Sequence, residues 1–336
     1  MRRPSLLLIA AVLLLTGCTS HDPDGNGAVD QNRPLPAPEV SVSRAAVPAA
    51  VTEDAVLPEV SGAFGRPAAI KVPKAKPSGK FVVTDLSRGN GPGARSGDVV
   101  VADYTARTWQ GRELPSTYTE GTPKVFSVGH GAVIPALERA VAGKPAGSRV
   151  LVVAPPSAAY GPSGNTALKV SGTDTVVFVV DIAKVIGAKS MVSGSADAAA
   201  DGLPRVRLSG PEHLISVPDT TPPKRVSTTA LVDGRGARIT AGRTVVVQYS
   251  AAAWDSNRGD DEAKLFASSW AKRTPMSVVI GRGNVIEGWD KTLVGTRVGS
   301  RLLVVVPPGL GYGAQAQKNL PANSTLVLVF DVLAAV

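Results

Sequence analysis

The sequence contains the same pattern of residues twice, and this repeat limits the folds open to it more than any other feature. The segment Gly97–Tyr104 returns as Gly242–Tyr249, 145 positions later. The segment Gly147–Val153 returns as Gly299–Val305, 152 positions later, and two prolines follow shortly after both copies. Fixed-period similarity of this kind marks repeated structural units, and 336 residues suffice for about two domains. The sequence therefore predicts two homologous domains in tandem.

The two offsets differ by seven residues, which places a longer loop in the second copy, between Trp254 and Phe266. This loop contains Asp260–Glu262, which we interpret as a solvated acidic loop rather than a cation site. Composition sets the domain boundaries, because stretches rich in Ala, Pro, Ser, Gly and Asp are typical of linkers. The predicted division is a signal segment 1–18, a flexible linker 19–56, a first domain 57–187, a linker 188–202 and a second domain 203–336.

Each copy is predicted to be mostly β-strand, because its apolar runs are rich in Val and are bounded by Gly and Pro. The predicted strands are Val99–Ala106, Arg149–Ala154 and Thr175–Val185, and Thr244–Ala251, Arg301–Val306 and Thr325–Leu333 in the second copy. One segment per copy has helical spacing instead. Ile134, Leu137 and Val141 are followed by Gly143, and Ile286, Trp289 and Leu293 are followed by Gly295. The expected fold is α+β, with one short helix against an antiparallel sheet in each domain.

Composition excludes several classes of chemistry. A single cysteine, Cys18, rules out an internal disulfide framework and a cysteine-rich metal site. The three histidines, His21, His130 and His213, are too scattered for a metal site or a catalytic triad. We therefore expect no metal and no cofactor.

The formal net charge is +9, yet no dense run of Lys and Arg and no basic stripe with aromatic residues accompanies it. We therefore expect no nucleic-acid partner and interpret the charge as a basic soluble surface.

The first 18 residues predict export and lipidation. Arg2 and Arg3 precede an apolar run from Leu6 to Leu15 that is too short to span a bilayer. The following Leu15–Cys18 segment resembles a bacterial lipobox, in which the cysteine carries the lipid. We expect the rest of the chain to lie outside the cytoplasm, as a monomer held to the membrane by acyl chains on Cys18.

Aromatic residues make up only 4% of the chain, yet tyrosines recur at matching places, Tyr104 with Tyr249 and Tyr160 with Tyr312. They either fill two small cores or line two binding sites, and composition alone leaves both interpretations open. The longer motifs are more specific. They include Val285–Trp289, Gly311–Gly313, Leu320–Leu326 and Val329–Asp331. Together they resemble an FKBP-type peptidyl-prolyl cis–trans isomerase domain, over residues 80–187 and 225–336.

The resemblance implies a bent antiparallel sheet wrapped around one short helix, with an apolar pocket between them that binds proline-containing polypeptides and, in this family, macrolides. In the second repeat it implies that Tyr249, Phe266, Ile286, Trp289 and Tyr312 act on the substrate. Met276, Val285, Leu320 and Leu328 complete that pocket. Trp289 would lie under the proline ring, and the Tyr312 hydroxyl and the Ile286 N–H would donate to substrate carbonyls. The family's usual Asp after the pocket Phe is Ala267 here.

The first repeat departs further from the family pattern. Its matching pocket residues are Tyr104, Val133, Ile134, Leu137, Tyr160, Val170 and Phe178. Leu137 replaces the Trp, Leu114 replaces the pocket Phe, and Lys124 replaces an aromatic residue. We therefore expect weaker proline binding there than in the second repeat. The leading function is isomerisation of X–Pro bonds in exported proteins. The alternatives are a non-catalytic proline-binding chaperone or adaptor, and a structural lipoprotein that lost the pocket.

Overall fold

The computed structural model describes residues 47–194, 202–209 and 212–336. The elements of the first repeat are β1 (Glu59–Ser61), β2 (Ala69–Lys71), β3 (Val82–Ser87), β4 (Val99–Thr108), β5 (Glu113–Leu114), α1 (Thr117–Glu120), β6 (Lys124–Ser127), α2 (Pro135–Val141), β7 (Arg149–Ala154) and β8 (Val176–Ile186). The six strands from β3 to β8 form one antiparallel sheet in the order β3-β7-β8-β4-β5, with β6 also paired to β4.

The second repeat follows the same plan. Its elements are β9 (Arg205–Ser209), β10 (Glu212–Ser216), β11 (Ser227–Val232), β12 (Thr244–Ala253), β13 (Leu265–Ser268), β14 (Met276–Val279), α3 (Glu287–Leu293), β15 (Arg301–Val306) and β16 (Leu326–Ala335). The sheet order is β11-β15-β16-β12-β13, with β14 also paired to β12. The predicted fold is therefore confirmed: two tandem domains, each with an antiparallel sheet and a short helix packed against it.

Both faces of each sheet are covered, which explains why the central strands read as unbroken apolar runs. In β15, Leu302, Val304 and Val306 face the helix and belong to the inner core. Leu303 and Val305 face the other way and pack under the hairpin β9-β10. In the first repeat the hairpin β1-β2 covers the outer face in the same manner. The segments ahead of the sheets are thus two-stranded hairpins.

The helices end as the sequence predicts. The α2 helix is followed by Gly143 with φ of 74°, and α3 is followed by Gly295 with φ of 89°. Only glycine adopts this left-handed backbone without strain, so each glycine stops its helix. Both helices are therefore short, with about two turns between the first helical residue and this glycine.

A buried arginine–aspartate pair lies under each hairpin. In the first repeat, Arg149 binds both carboxylate oxygens of Asp181 at 2.7 Å. Its other N–H groups donate to the carbonyls of Gly62 and Arg66 in the hairpin loop. A buried pair is tolerated only when its remaining donors and acceptors are satisfied, as they are here.

The equivalent pair in the second repeat, Arg301 with Asp331, is satisfied from a different part of the chain. Arg301 donates to the carbonyls of Val192 (2.6 Å) and Gly194 (3.0 Å), and the N–H of Val192 donates to Asp331 at 2.7 Å. The imidazole Nε2 of the buried His213 lies 3.3 Å from Asp331. Residues 188–194, the first part of the segment predicted as a linker, therefore pack against the second repeat.

The two sheets also touch each other. Val99, Val101 and Ile186 of the first repeat form one apolar cluster with Val246 and Ala334 of the second. This contact, together with the docked segment 188–194, joins the repeats through side chains as well as through the backbone.

Two predictions, the signal segment and the lipid anchor on Cys18, concern the N-terminal residues. The signal segment, Cys18 and residues 19–46 lie outside the described residues, so the predicted lipid anchor stays a prediction. Among the described residues, no helix is both long and apolar enough to cross a membrane.

Candidate functional site

The fold brings the predicted site residues of the second repeat into one place. They come from β12, β13, β14, β16, the N-terminus of α3 and the segment between β15 and β16. All of them belong to the cluster between α3 and the sheet: Tyr249, Phe266, Met276, Val285, Ile286, Trp289, Tyr312, Leu320 and Leu328. Residues separated by up to 79 positions in the sequence are thus neighbours, as a pocket requires.

Trp289 occupies the centre of this cluster and is 0% exposed. Its ring lies edge-on to Tyr249, with centroids 5.3 Å apart, and to Phe330, with centroids 4.6 Å apart. Edge-to-face aromatic pairs of this kind add about 0.5–1.5 kcal/mol beyond area burial. Phe330 was not among the predicted site residues, although the sequence places it in the matching Val329–Asp331 motif. The indole is therefore held rigidly on two sides.

The residues around Trp289 are also screened from water. Ile286 and Tyr312 are each 4% exposed, and Tyr249 is 1% exposed. Burial raises the pKa of the Tyr249 hydroxyl to about 12. The phenol therefore remains neutral at physiological pH and adds no charge to an apolar environment.

The start of α3 is fixed by one carboxylate. Asp290 accepts hydrogen bonds from the N–H groups of Gly281 (2.7 Å) and Gly283 (2.9 Å), which pins the preceding loop to the helix. Ile286 is the N-cap residue of α3, and no described residue accepts a hydrogen bond from its N–H. Unpaired N–H groups are general at helix N-termini. The Ile286 N–H is thus a donor at the edge of the pocket.

The first repeat has an open cavity at the matching place. A cavity of about 600 Å³ is lined by Tyr104, Val133, Ile134, Leu137, Tyr160 and Phe178. Lys124 and Val47 also reach this cavity. Val170 is buried in the core beside it and does not line it. Burial raises the pKa of Tyr160 to about 12, so this phenol is also neutral.

The size of the first cavity has a simple cause. Leu137 stands where the second repeat has Trp289, and a leucine leaves much of the volume of an indole unfilled. Leu114, which replaces the pocket Phe, packs in the same core cluster but does not line this cavity; it lines a second groove, between β2 and β5. The first repeat therefore lacks two of the aromatic surfaces that the second repeat has.

Comparisons with known proteins agree with this geometry. The sequence profile of the family described as FKBP-type peptidyl-prolyl cis-trans isomerase matches residues 91–183 and 236–333, more than half of the chain. An FK506-binding protein of Streptomyces anulatus is 31% identical over 122 residues, covering 36% of this chain and 94% of that protein. The human peptidyl-prolyl cis-trans isomerase FKBP9 is 26% identical over 240 residues, covering 70% of this chain. The chain spans about a third (35%) of the length of FKBP9.

Among solved structures, the chain is similar to the three FKBP domains of wheat FKBP73. That structure covers 77% of this chain and 96% of its own, at 20% identity and a TM-score of 0.32. The family profile matches once in each repeat and includes the helix and the pocket strands of both. The chain therefore belongs to the family of FKBP-type peptidyl-prolyl cis-trans isomerases.

Proposed function

We propose that this protein catalyses cis–trans isomerisation of X–Pro bonds, mainly through its second repeat. The observation that carries the proposal is the dry cluster around Trp289, which is completely buried between Tyr249 and Phe330. The nine predicted pocket residues meet there, whereas the first repeat has an open cavity over Leu137.

The reaction needs an apolar surface more than it needs an acid or a base. Amide resonance gives the C–N bond partial double-bond character and a rotation barrier of ~18–20 kcal/mol. Resonance also separates charge, so water stabilises the planar amide more than the twisted one. Moving the amide into the apolar pocket over Trp289 removes part of that preference, and each ~1.4 kcal/mol gained in the twisted state gives a tenfold rate increase.

Two donors complete the mechanism. The Ile286 N–H at the start of α3 donates to one substrate carbonyl, and the Tyr312 hydroxyl donates to another. Donors that are fixed before the substrate binds need no reorganisation during the reaction, so they favour the twisted geometry efficiently. The hydrogen bonds of Asp290 to Gly281 and Gly283 support this role, because they hold the loop before Ile286 in one position.

The substrates we propose are unfolded segments of exported proteins. X–Pro bonds suit such a pocket because their cis and trans forms differ by only ~0.5–1 kcal/mol yet exchange over ~10–100 s. The predicted lipidation of Cys18 would hold the protein outside the cytoplasm at the membrane, where exported chains fold. We also propose that FK506 occupies the same pocket, since the relatives include FK506-binding proteins.

A second candidate function is non-catalytic binding of proline-containing segments. It is favoured by the first repeat, whose cavity of about 600 Å³ is open because Leu137 replaces the indole. It is also favoured by Ala267, which stands where family members usually have an Asp. A binding module would grip proline peptides without accelerating their isomerisation.

The test is a proline-limited refolding assay on the full chain. We expect an increased refolding rate that FK506 suppresses, and we expect Trp289→Leu to lower kcat/KM at least tenfold. If the wild-type chain binds the unfolded substrate but does not change its refolding rate, the binding module is the correct interpretation. If Trp289→Leu leaves the rate unchanged, the assignment to the second repeat is wrong.

A further inference from the structure

The two outer hairpins differ in what lies along their free edge. In the second repeat, the longer loop runs antiparallel to β10. The N–H of Ala263 donates to the carbonyl of Ile215 at 2.7 Å. The N–H of Val217 donates to Asp260 at 2.9 Å, and the N–H of Gly259 donates back to Val217 at 3.0 Å. This loop thus acts as an added strand at the edge of the hairpin.

The first repeat has no such loop, because its chain between Trp109 and Leu114 is seven residues shorter. The two hairpins can be matched by register, since Ile70 pairs with Val60 and Ile215 pairs with Val206. Where the second repeat has the loop, the first repeat has an open groove of about 640 Å³. It is lined by the hairpin residues Val60, Ala68, Ile70 and Lys71 and by Thr105, Ala106, Arg107, Glu113, Leu114 and Ser116.

The hairpin edge has open hydrogen-bonding groups at Val72, which directly follows the groove residue Lys71. Val72 corresponds to Val217, and no described residue forms a hydrogen bond with its backbone. The carbonyl of Ile70 accepts a hydrogen bond from the Arg107 guanidinium, in the place where Ile215 accepts one from a backbone N–H. The Nε of Arg107 is buried without an acceptor among the described residues. In the second repeat the corresponding residue is Ala252, whose small side chain leaves room for the loop.

We propose that this groove binds an extended segment of a client polypeptide, which adds to β2 as an antiparallel strand. The site is separate from the proline pockets and does not depend on the proposed isomerase activity. Main-chain hydrogen bonds to an exposed strand edge supply affinity with little dependence on sequence. The second repeat's own loop shows which occupant fits: an extended segment with a small apolar side chain at the position of Ala263, which is 6% exposed.

Charges at the groove rim are mixed and partly paired. Lys71 binds Glu59 at 2.9 Å, and Arg107 lies 3.7 Å from Glu113. The rim therefore gives no strong preference for the sign of the peptide's charge. Selection comes from the floor, to which Ala106 and Leu114 contribute apolar surface.

The experiment uses the full chain and a nine-residue peptide with the sequence of residues 257–265, Asn-Arg-Gly-Asp-Asp-Glu-Ala-Lys-Leu, which contains no proline. Amide hydrogen exchange is followed residue by residue. Without peptide, we expect the Val72 amide to exchange quickly and the Val217 amide slowly. With saturating peptide, Val72 should exchange at least tenfold more slowly and Val217 should not change. A peptide N-methylated at the Gly259 and Ala263 positions should have no effect.

Matched proline variants separate this groove from other sites. Val72→Pro removes the N–H that the peptide would bind and should weaken binding at least tenfold. Val217→Pro makes the same change in the second repeat and should leave peptide binding as it was. A second variant covers the possibility that Val72→Pro fails to fold. In this variant, residues 255–265 replace residues 110–113, so that the grafted loop fills the groove. It should not bind the peptide.

Three results would overturn the proposal. The first is unchanged exchange at Val72 at millimolar peptide. The second is equal protection by the N-methylated peptide, which would show binding without main-chain hydrogen bonds. The third is undiminished binding to the chain that carries the grafted loop.

Discussion

Residues 187–194 are predicted to be an integral part of the second domain, and removing them should destabilise it strongly. Composition alone would start this domain at residue 203. In the structure, however, Arg301 donates to the carbonyls of Val192 and Gly194. A chain that begins at residue 203 lacks both of these acceptors. Asp331 loses the N–H of Val192 as well. A fragment 203–336 would thus leave its buried ion pair with three partners missing.

The size of the effect follows from these contacts. A hydrogen bond to a charged group contributes about 1.5–3 kcal/mol, and water that enters the emptied site offsets part of the loss. Taking the lower value for each of the three bonds, and adding about 1.5 kcal/mol for the buried Val192 side chain, gives a loss of about 5–6 kcal/mol. Domains of this size are stable by about 5–15 kcal/mol, so the shorter fragment should be marginal.

The assay is urea unfolding of fragments 187–336 and 203–336, followed by fluorescence of Trp254, Trp270 and Trp289. With an m-value of about 1.5 kcal/mol/M, the midpoint should fall by about 3–4 M. A fragment 195–336 controls for length, because it is longer than 203–336 but also lacks Val192 and Gly194. It should therefore unfold at the same urea concentration as 203–336. Midpoints that agree within about 0.5 M for all three fragments would refute the reasoning.

Three further predictions concern single side chains. Burial acts to raise the pKa of Asp331, but the hydrogen-bonded Arg301 and the adjacent His213 outweigh burial and lower the pKa. The ionised carboxylate therefore stabilises the fold above pH 3.8, and this contribution fades as the pH falls below that value. The substitution Asp331→Asn should cost about 3–5 kcal/mol in urea unfolding at pH 7. Because burial raises the pKa of Tyr249, the neutral phenol contributes fully to stability below pH 10, and this contribution is lost between about pH 10 and 12. Tyr249→Phe should therefore show a smaller fall in melting temperature over that range. An equal fall in the variant and the wild-type chain would contradict this prediction. Leu137→Trp should fill part of the first cavity and change the free energy of unfolding by less than about 2 kcal/mol. It should also increase the affinity of the first repeat for FK506. Calorimetry measures that affinity in a chain that also carries Trp289→Leu.

Much of the fold was predictable because the repeat doubles every signal. The strands and helices that recur in both copies are all present, and the predicted strand ends differ from the observed ones by at most two residues. The β12 strand, for example, runs to Ala253 rather than Ala251, since its pairing with β13 reaches Ala252 and its pairing with β16 reaches Ala253. Such ends depend on partner strands, which a single sequence does not show.

The outer hairpins were only partly predictable, because a short strand such as Ala69–Lys71 has little pattern of its own. One signal was available. Arg301–Val306 and Arg149–Ala154 lack the alternation of a half-exposed strand, which indicates that both faces of the sheet are covered. What covers them could not be inferred, because it depends on tertiary contacts with distant segments.

The buried ion pairs were missed for a related reason. Arg149 and Asp181 recur as Arg301 and Asp331 in the repeated motifs, yet charged residues ordinarily face water. Their partners, Gly62 and Val192 among others, contribute backbone groups that carry no residue-type signal. In contrast, the pocket side chains could be predicted individually, because aromatic and aliphatic residues at matching motif positions identify them.

The most direct test of the central claim compares the hydroxyl of one tyrosine in each repeat. The full chain, Tyr312→Phe and Tyr160→Phe are assayed for isomerisation of a proline peptide at the same concentration. The account predicts that Tyr312→Phe lowers kcat/KM about tenfold, the loss expected for about 1.4 kcal/mol of transition-state stabilisation, and that Tyr160→Phe changes it less than twofold. A chain whose activity survives Tyr312→Phe but falls with Tyr160→Phe would place the catalytic pocket in the first repeat and contradict the account.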